Sequence, residues 1–300
     1  MPERELVPLL DGGGYFECPR WHDGRWWVSA FYERVVLAIE PSGRAERIVA
    51  VEHQPSGLGW MPDGSLLVVS MKDRRVLRRA ADGALSVHAD VSEYCGGHLN
   101  DIVVDSSGRA YAGNFGYDLM AGEDPRPAVL VRIDPEGSTS VAADDLRFPN
   151  GAVITPDGST LIVDETGGAR ITAFTIRADG TLTDRRVWAQ LGPTPPLGTV
   201  EEMLAALEYA PDGCTLDAEG HLWAADALGG RCCRIAPGGE LVEALRPPDN
   251  LGVFACMLGG EDGRTLLLTT APDFLEHNRA PVREAMLFTT TVDVPHAGLP

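Results

Sequence analysis

The sequence predicts an all-β chain folded as a six-bladed β-propeller. One strand-turn-strand pattern recurs six times, its spacing is that of four-stranded blades, and the chain is rich in turn residues. The 300 residues include 34 Gly and 22 Pro with no collagen-like period, a composition that joins many short strands by turns. With 44% hydrophobic and 23% charged residues there is ample material for a core. Propellers of this length are commonly one folding unit, so a single domain over residues 1–300 is expected.

The repeat is an apolar segment, a tight D/E-x-G type turn and a second β-forming segment. It reads WHDGRWWVS, MPDGSLLVVS, VDSSGRAYAGN, TPDGSTLIVDE, LDAEGHLWAAD and GEDGRTLLLTT. From Gly24 through Gly64, Gly108, Gly158 and Gly220 to Gly263, subtraction gives steps of 40, 44, 50, 62 and 43 residues; a four-stranded blade needs about 40 to 50. Further strand patterns follow, such as VVLAIEPSG and RITAFTIRADG. A β-sandwich or solenoid has no reason to repeat one turn chemistry six times. Ring closure requires a borrowed strand, and residues 5–10 (ELVPLL) are expected to pair beside AMLFTTTV.

In a propeller the first strand of each blade lines the channel, so equivalent positions converge at its mouth. Seven or eight residues before the turn glycines stand Glu17, Ser56, Asn100, Asn150, Asp212 and Ala255. Five bear oxygen. Carboxylates and amides gathered in a partly buried channel repel or go unsatisfied unless a cation sits between them. Two acids with two amides form an all-oxygen set suited to Ca²⁺, Mg²⁺ or Mn²⁺, with Zn²⁺ open in a catalytic role. Asn150-Gly and Asp212-Gly are also ordinary turn formers. Glu17, between aromatic and apolar neighbours ahead of a strand, is harder to explain as structure alone. Second strands end on Asn114, Asp164-Glu165 and Asp226, which are candidates for substrate contact or for support of the site.

These motifs resemble the regucalcin/gluconolactonase (senescence-marker-protein) family across nearly the whole chain. The most specific stretch is PDGCTLDAEGHLWAADALGGRCCRIAPGG (211–239), supported by FECPRWHDG, HLNDIVVDSSGRAYAGNFG and RFPNGAVITPDGSTLIVDET. The resemblance implies one divalent ion, calcium before zinc, manganese or magnesium, held by Glu17, Asn150 and Asp212. It also implies that Asp212 is the general base and that Asn100 contacts substrate or a metal-bound water. The family's EGPxW motif is ECPRW here, and His98 stands where sugar-lactone members often have arginine. Histidine offers fewer donors than arginine's fixed fork, which separates this chain from sugar recognition more than from the fold or the metal.

The expected activity is hydrolysis of a lactone, the ion polarising the carbonyl or activating water, with Asp212 as base and His98 and Asn100 as orienting groups. No G-x-S-x-G elbow is present. Phosphotriesters or aryl esters are alternative substrates for the same site, and a ligand-binding propeller with a structural cation is the non-catalytic alternative. Two longer connections are expected to cover the mouth as lids. Residues 114–128 bring Phe115, Tyr117 and Met120, and residues 192–210 carry a Thr199/Glu202 capping box before Met203, Leu204 and Leu207. Their apolar character suits a substrate less polar than a sugar acid.

A net charge of −19 argues against nucleic acid and anionic membrane as partners. The six cysteines show no C-x-x-C spacing, and the N-terminal stretch Met1 to Leu6 shows no basic and apolar leader pattern. A cytoplasmic protein with free thiols, monomeric or weakly homo-oligomeric, is expected.

Overall fold

The computed structural model describes residues 4–298. Residues 1–3, which begin the stretch read for a leader, and residues 299–300 lie outside the described residues. Six four-stranded antiparallel sheets follow one another along the chain. Blades 1 to 5 occupy residues 16–50, 55–90, 99–146, 149–190 and 211–245. Blade 6 combines three strands within 252–291 with the N-terminal strand Val7–Gly13. Inner strands pack on one another in ring order, that of blade 6 (Gly252–Gly259) meeting that of blade 1 (Phe16–His22). The closing strand pairs Val7 with Thr289, Leu10 with Leu287 and Gly13 with Ala285, three residues beyond the segment expected from sequence.

The turn chemistry explains why the motif recurs. All six marker glycines have positive φ, between 70° and 83°, where a Cβ is disfavoured. In blades 2 to 6 an aspartate bends the chain by accepting backbone N–H bonds from residues that follow, as Asp63 does from Ser65 and Asp217 from Glu219 and His221. Blade 1 instead has a two-residue hairpin turn, with Asp23 at φ 49° and Gly24 at 71° between the paired His22 and Arg25.

Burial falls from the axis outward. The inner strand Leu99–Val104 is wholly buried, whereas the outer strand Ala45–Ala50 has no buried residue. Apolar side chains fill the clefts between blades, such as Trp27, Val36, Leu58 and Val68 between blades 1 and 2. Each inner strand also holds one residue more than its partner. Pro211 pairs with Asp226 and Cys214 with Ala224, three steps against two, and the same excess occurs at Glu17/Arg20, Pro55/Leu58, Leu99/Ile102, Pro149/Ala152 and Val253/Ala255. A bulge of this kind re-aims a side chain and ends regular pairing. Bulges at this level thus turn a residue toward the mouth in five of the six blades.

Candidate functional site

The bulges explain both what the repeat phase found and where it slipped. Glu17, Asn100, Asn150 and Asp212 line one pocket of about 880 Å³, measured with its open mouth. Each keeps between 6% and 8% exposure, enough to reach the pocket while its strand stays buried. Ser56 lies behind them, fully buried, donating to Asn100 Oδ1 at 3.4 Å. The sixth position is Phe254, not Ala255. Pairing of Val253 with Thr270 aligns Phe254 with Asp212, each following the pair that opens its bulge. The turn before Thr265 has five residues, like that before Leu222, but the paired run between bulge and turn is longer in blade 6, which displaces the count from Gly263 by one. Phe254 lines the pocket; Ala255 instead packs against Gly213.

Glu17 Oε2 accepts from the backbone N–H of Cys18 at 2.8 Å, and Oε1 accepts from the Tyr15 hydroxyl at 3.3 Å. Burial pushes its carboxyl up to about 7, against the Cys18 N–H bond that favours the charged form. Asp212 lies well above the usual carboxylate range, first through burial and then through the nearby charge of Glu17, with Asn150 favouring ionisation. Two buried acids that oppose each other's charge need a cation nearby to ionise together. The Asn150 amide is oriented by donating to Thr166 Oγ1 at 3.1 Å, and that hydroxyl donates to Pro211 O at 2.7 Å. His98 also lines the pocket, and burial lowers its pKa, so it is held neutral. Among the described residues no group of three or more His, Cys, Asp or Glu is gathered as for a metal. The acidic donors at the site are two, and its remaining oxygens are amides.

The other sequence candidates have structural duties. Asn114 is fully buried and absent from the pocket wall; its Nδ2 donates to Val129 O and its Oδ1 accepts from Gly116 N. Asp226, also fully buried, accepts from the N–H groups of Ala210 and Gly229 and from Arg231 Nε at 2.8 Å. It fastens the segment that enters Asp212. Glu165 accepts from Arg147 N, Thr172 Oγ1 and Arg170, which hold its carboxyl below the usual range despite burial. Asp164 is fully buried beside Cys214 with neither oxygen paired, and burial keeps its pKa well above normal.

Two features escaped the sequence reading. Beneath the pocket Arg20 crosses from blade 1 to donate to Asp101 Oδ1 at 2.7 Å and Ile102 O at 2.9 Å, a buried ion pair across the channel. Only a positional match between blades 1 and 3 would have hinted at it. The third lid, residues 272–284, brings Phe274 and Glu276 to the rim with no motif to announce it. The two longer connections expected as lids bring residues to the pocket wall. Val200–Ala206 is a helix with the capping box formed and Met203 buried, and Leu204, Leu207, Phe115, Tyr117 and Met120 line the pocket. Cys18 sits at φ 48°, the left-handed conformation that a glycine adopts without strain. All six cysteines are free and buried, and among the described residues no helix is long and apolar enough to cross a membrane.

A family model described as the SMP-30/gluconolactonase/LRE-like region matches residues 16–272, which include all four polar residues of the mouth. The chain belongs to this family. Within it, the chain is 28% identical over 208 residues to a 6-deoxy-6-sulfogluconolactonase of Pseudomonas putida, covering 67% of this chain and 64% of that protein. The match thus spans just under two thirds of that relative's length. A pentonolactonase of Haloferax volcanii is 26% identical over 260 residues, covering 85% of this chain and 81% of the relative. The structure of regucalcin from Agrobacterium tumefaciens, described as a calcium-binding protein, superposes with a TM-score of 0.78 at 22% identity, covering 99% of this chain and 97% of that one. That likeness establishes the shared fold.

Proposed function

We propose that this protein is a divalent-metal-dependent hydrolase that opens a lactone. The observation that carries the reading is the meeting of Glu17, Asn100, Asn150 and Asp212, from four different blades, in one pocket of a chain whose relatives include lactonases. Glu17, Asn150 and Asp212 would hold the ion. The fit rests on donor chemistry: two buried acids whose raised pKa values reflect an unmet need for positive charge, beside neutral amide oxygens, form a hard-cation set with calcium first. Once bound, such an ion supplies Lewis acidity toward a carbonyl and lowers the pKa of water.

The chain's own residues do the rest. Asp212 takes a proton from the attacking water as its oxygen adds to the lactone carbonyl carbon. The ring C–O bond then breaks, and the released alkoxide, still tethered, takes a proton to give the hydroxy acid. Asn100 and neutral His98 orient the ester group by hydrogen bonds, and the lids exclude bulk water. The test is turnover of a lactone panel before and after chelation and after replacement with Ca²⁺, Mn²⁺, Mg²⁺ or Zn²⁺, alongside Asp212→Ala. Loss on chelation, recovery with an ion and inactivity of Asp212→Ala are expected. Full activity in metal-free protein, or in Asp212→Ala, would overturn the reading.

A further inference from the structure

The walls of the pocket point to the substrate. On one side Phe115 packs on Phe148 with ring centroids 4.3 Å apart, and Tyr117 lies beside Phe148 at 6.5 Å. His98 extends this wall, 5.5 Å from Phe115. Across the pocket Tyr15 meets Phe31 at 5.2 Å and Phe254 at 5.0 Å, and Tyr32 and Phe274 continue that face. All of these rings line the same pocket as the four polar residues. Phe148 has φ 59°, unusual for a bulky residue and worth about 1–3 kcal/mol of strain, such as is stored at ligand clamps.

The hydroxyl groups of these walls are already committed, leaving His98 and the Gln54 amide oxygen as the free polar groups beside the four residues of the floor. Tyr32 donates to Phe274 O at 2.6 Å, Tyr15 faces Glu17, and Tyr117 is directed at the Met203 sulfur at 3.7 Å. Thr166 is occupied by Asn150 and Pro211. Among the described residues no Lys or Arg lines the pocket, and Lys72 near the rim is paired with Glu276 at 2.7 Å. A polyhydroxylated ring entering here would lose water from hydroxyls that find no new partner, at about 1–3 kcal/mol for each one left unpaired. A sulfonate or phosphate would find no Lys or Arg on these walls to neutralise it, and would lie near the carboxylates of Glu17, Asp212 and Glu276.

We infer that the substrate is a neutral lactone carrying a flat aromatic or comparably apolar group, its ester at the polar floor and its ring between the two aromatic walls. The inference rests on the lactone reading for the reacting group, and on the walls alone for what surrounds it. Blade 6 makes the point most directly, since the bulge position that aims an acid or amide at the mouth from blades 3, 4 and 5 aims Phe254 there instead.

The test compares 3,4-dihydrocoumarin with glucono-δ-lactone, and, because lactams resist hydrolysis, 3,4-dihydro-2-quinolinone with gluconolactam in calorimetric binding to the metal-loaded protein. A kcat/KM ratio of about 10 to 100 in favour of dihydrocoumarin is expected, the discrimination an apolar pocket achieves against added hydroxyls. The benzo-fused lactam should bind and gluconolactam should not. In Phe254→Asn, and in the milder Phe274→Leu should the first fail to fold, the ratio should fall at least 3-fold. A preference for glucono-δ-lactone, or tighter binding of gluconolactam, overturns the inference and leaves lactone hydrolysis standing. Binding of the benzo-fused lactam with neither lactone hydrolysed supports the inference and removes the lactone reading. No hydrolysis and no binding overturns both.

Discussion

Replacing Asp226 separates a residue that touches substrate from one that holds the scaffold. Its Oδ1 receives Ala210 N at 3.1 Å and Gly229 N at 3.0 Å, and its Oδ2 receives Arg231 Nε at 2.8 Å, all at a fully buried carboxyl. Asp226→Asn can keep an oxygen for the two backbone donors and loses the charge-assisted bond, a change of about 2 kcal/mol. Asp226→Ala leaves all three donors without their acceptor, and a broken buried pair costs about 3–5 kcal/mol. Arg231 keeps 25% side-chain exposure, so its charge recovers some hydration and the lower half of that range, about 3–4 kcal/mol, is expected. Urea unfolding at pH 7.5 should show the midpoint falling in the order wild type, Asn, Ala at constant m-value. Turnover should fall more in the Ala variant, because Ala210 leads directly into Pro211 and Asp212. A stable Asp226→Ala variant, within about 1 kcal/mol of wild type, with a raised KM would refute the scaffold role and return Asp226 to substrate contact.

Asp164 predicts a pH dependence. Because burial raises its pKa, the folded protein keeps a proton that the unfolded chain releases, so stability is full below the ordinary carboxylate range and falls as pH rises toward the folded value. Asp164→Asn should flatten the fall of unfolding free energy above the ordinary carboxylate range, by up to about 1.4 kcal/mol per pH unit; parallel wild-type and variant profiles would show that the group is ionised in the fold. A Cβ on Gly213 would stand 2.3 Å from Ala255 Cβ, so Gly213→Ala should cost at least 1–3 kcal/mol through overpacking, read as a lower melting temperature. Cys18→Gly relieves about 1–2 kcal/mol of left-handed strain and loses a small buried side chain worth a similar amount. Its stability should therefore stay within about 1 kcal/mol of wild type by chemical denaturation, and a larger loss would mean that Cys18 has a packing role of its own.

The blades were legible because each is a local object. An aspartate accepting N–H bonds from residues just ahead, a glycine at positive φ and two apolar runs lie within one dozen residues, so Asp63-Gly64 and Asp157-Gly158 announce their hairpins directly. The same phase also found Asn100, Asn150 and Asp212, which follow the pair that opens the bulge in their blades, and Glu17, which sits on that pair in blade 1. It missed Phe254, where a longer paired run between bulge and turn shifted the count, and at Asn114 and Asp226 the polar strand end binds its own loop.

By itself the sequence determined the all-β architecture, the number of blades, the closing strand and four oxygen-bearing residues of the mouth, because those follow from turn chemistry and repetition along the chain. Only the tertiary structure decided which side chains face the pocket and what surrounds them. Arg20 reaching Asp101 and the wall joining Tyr15 to Phe254 bring together residues about 80 and 240 positions apart. Such contacts depend on closure of the ring and on the direction of each bulge, which no local window of sequence encodes.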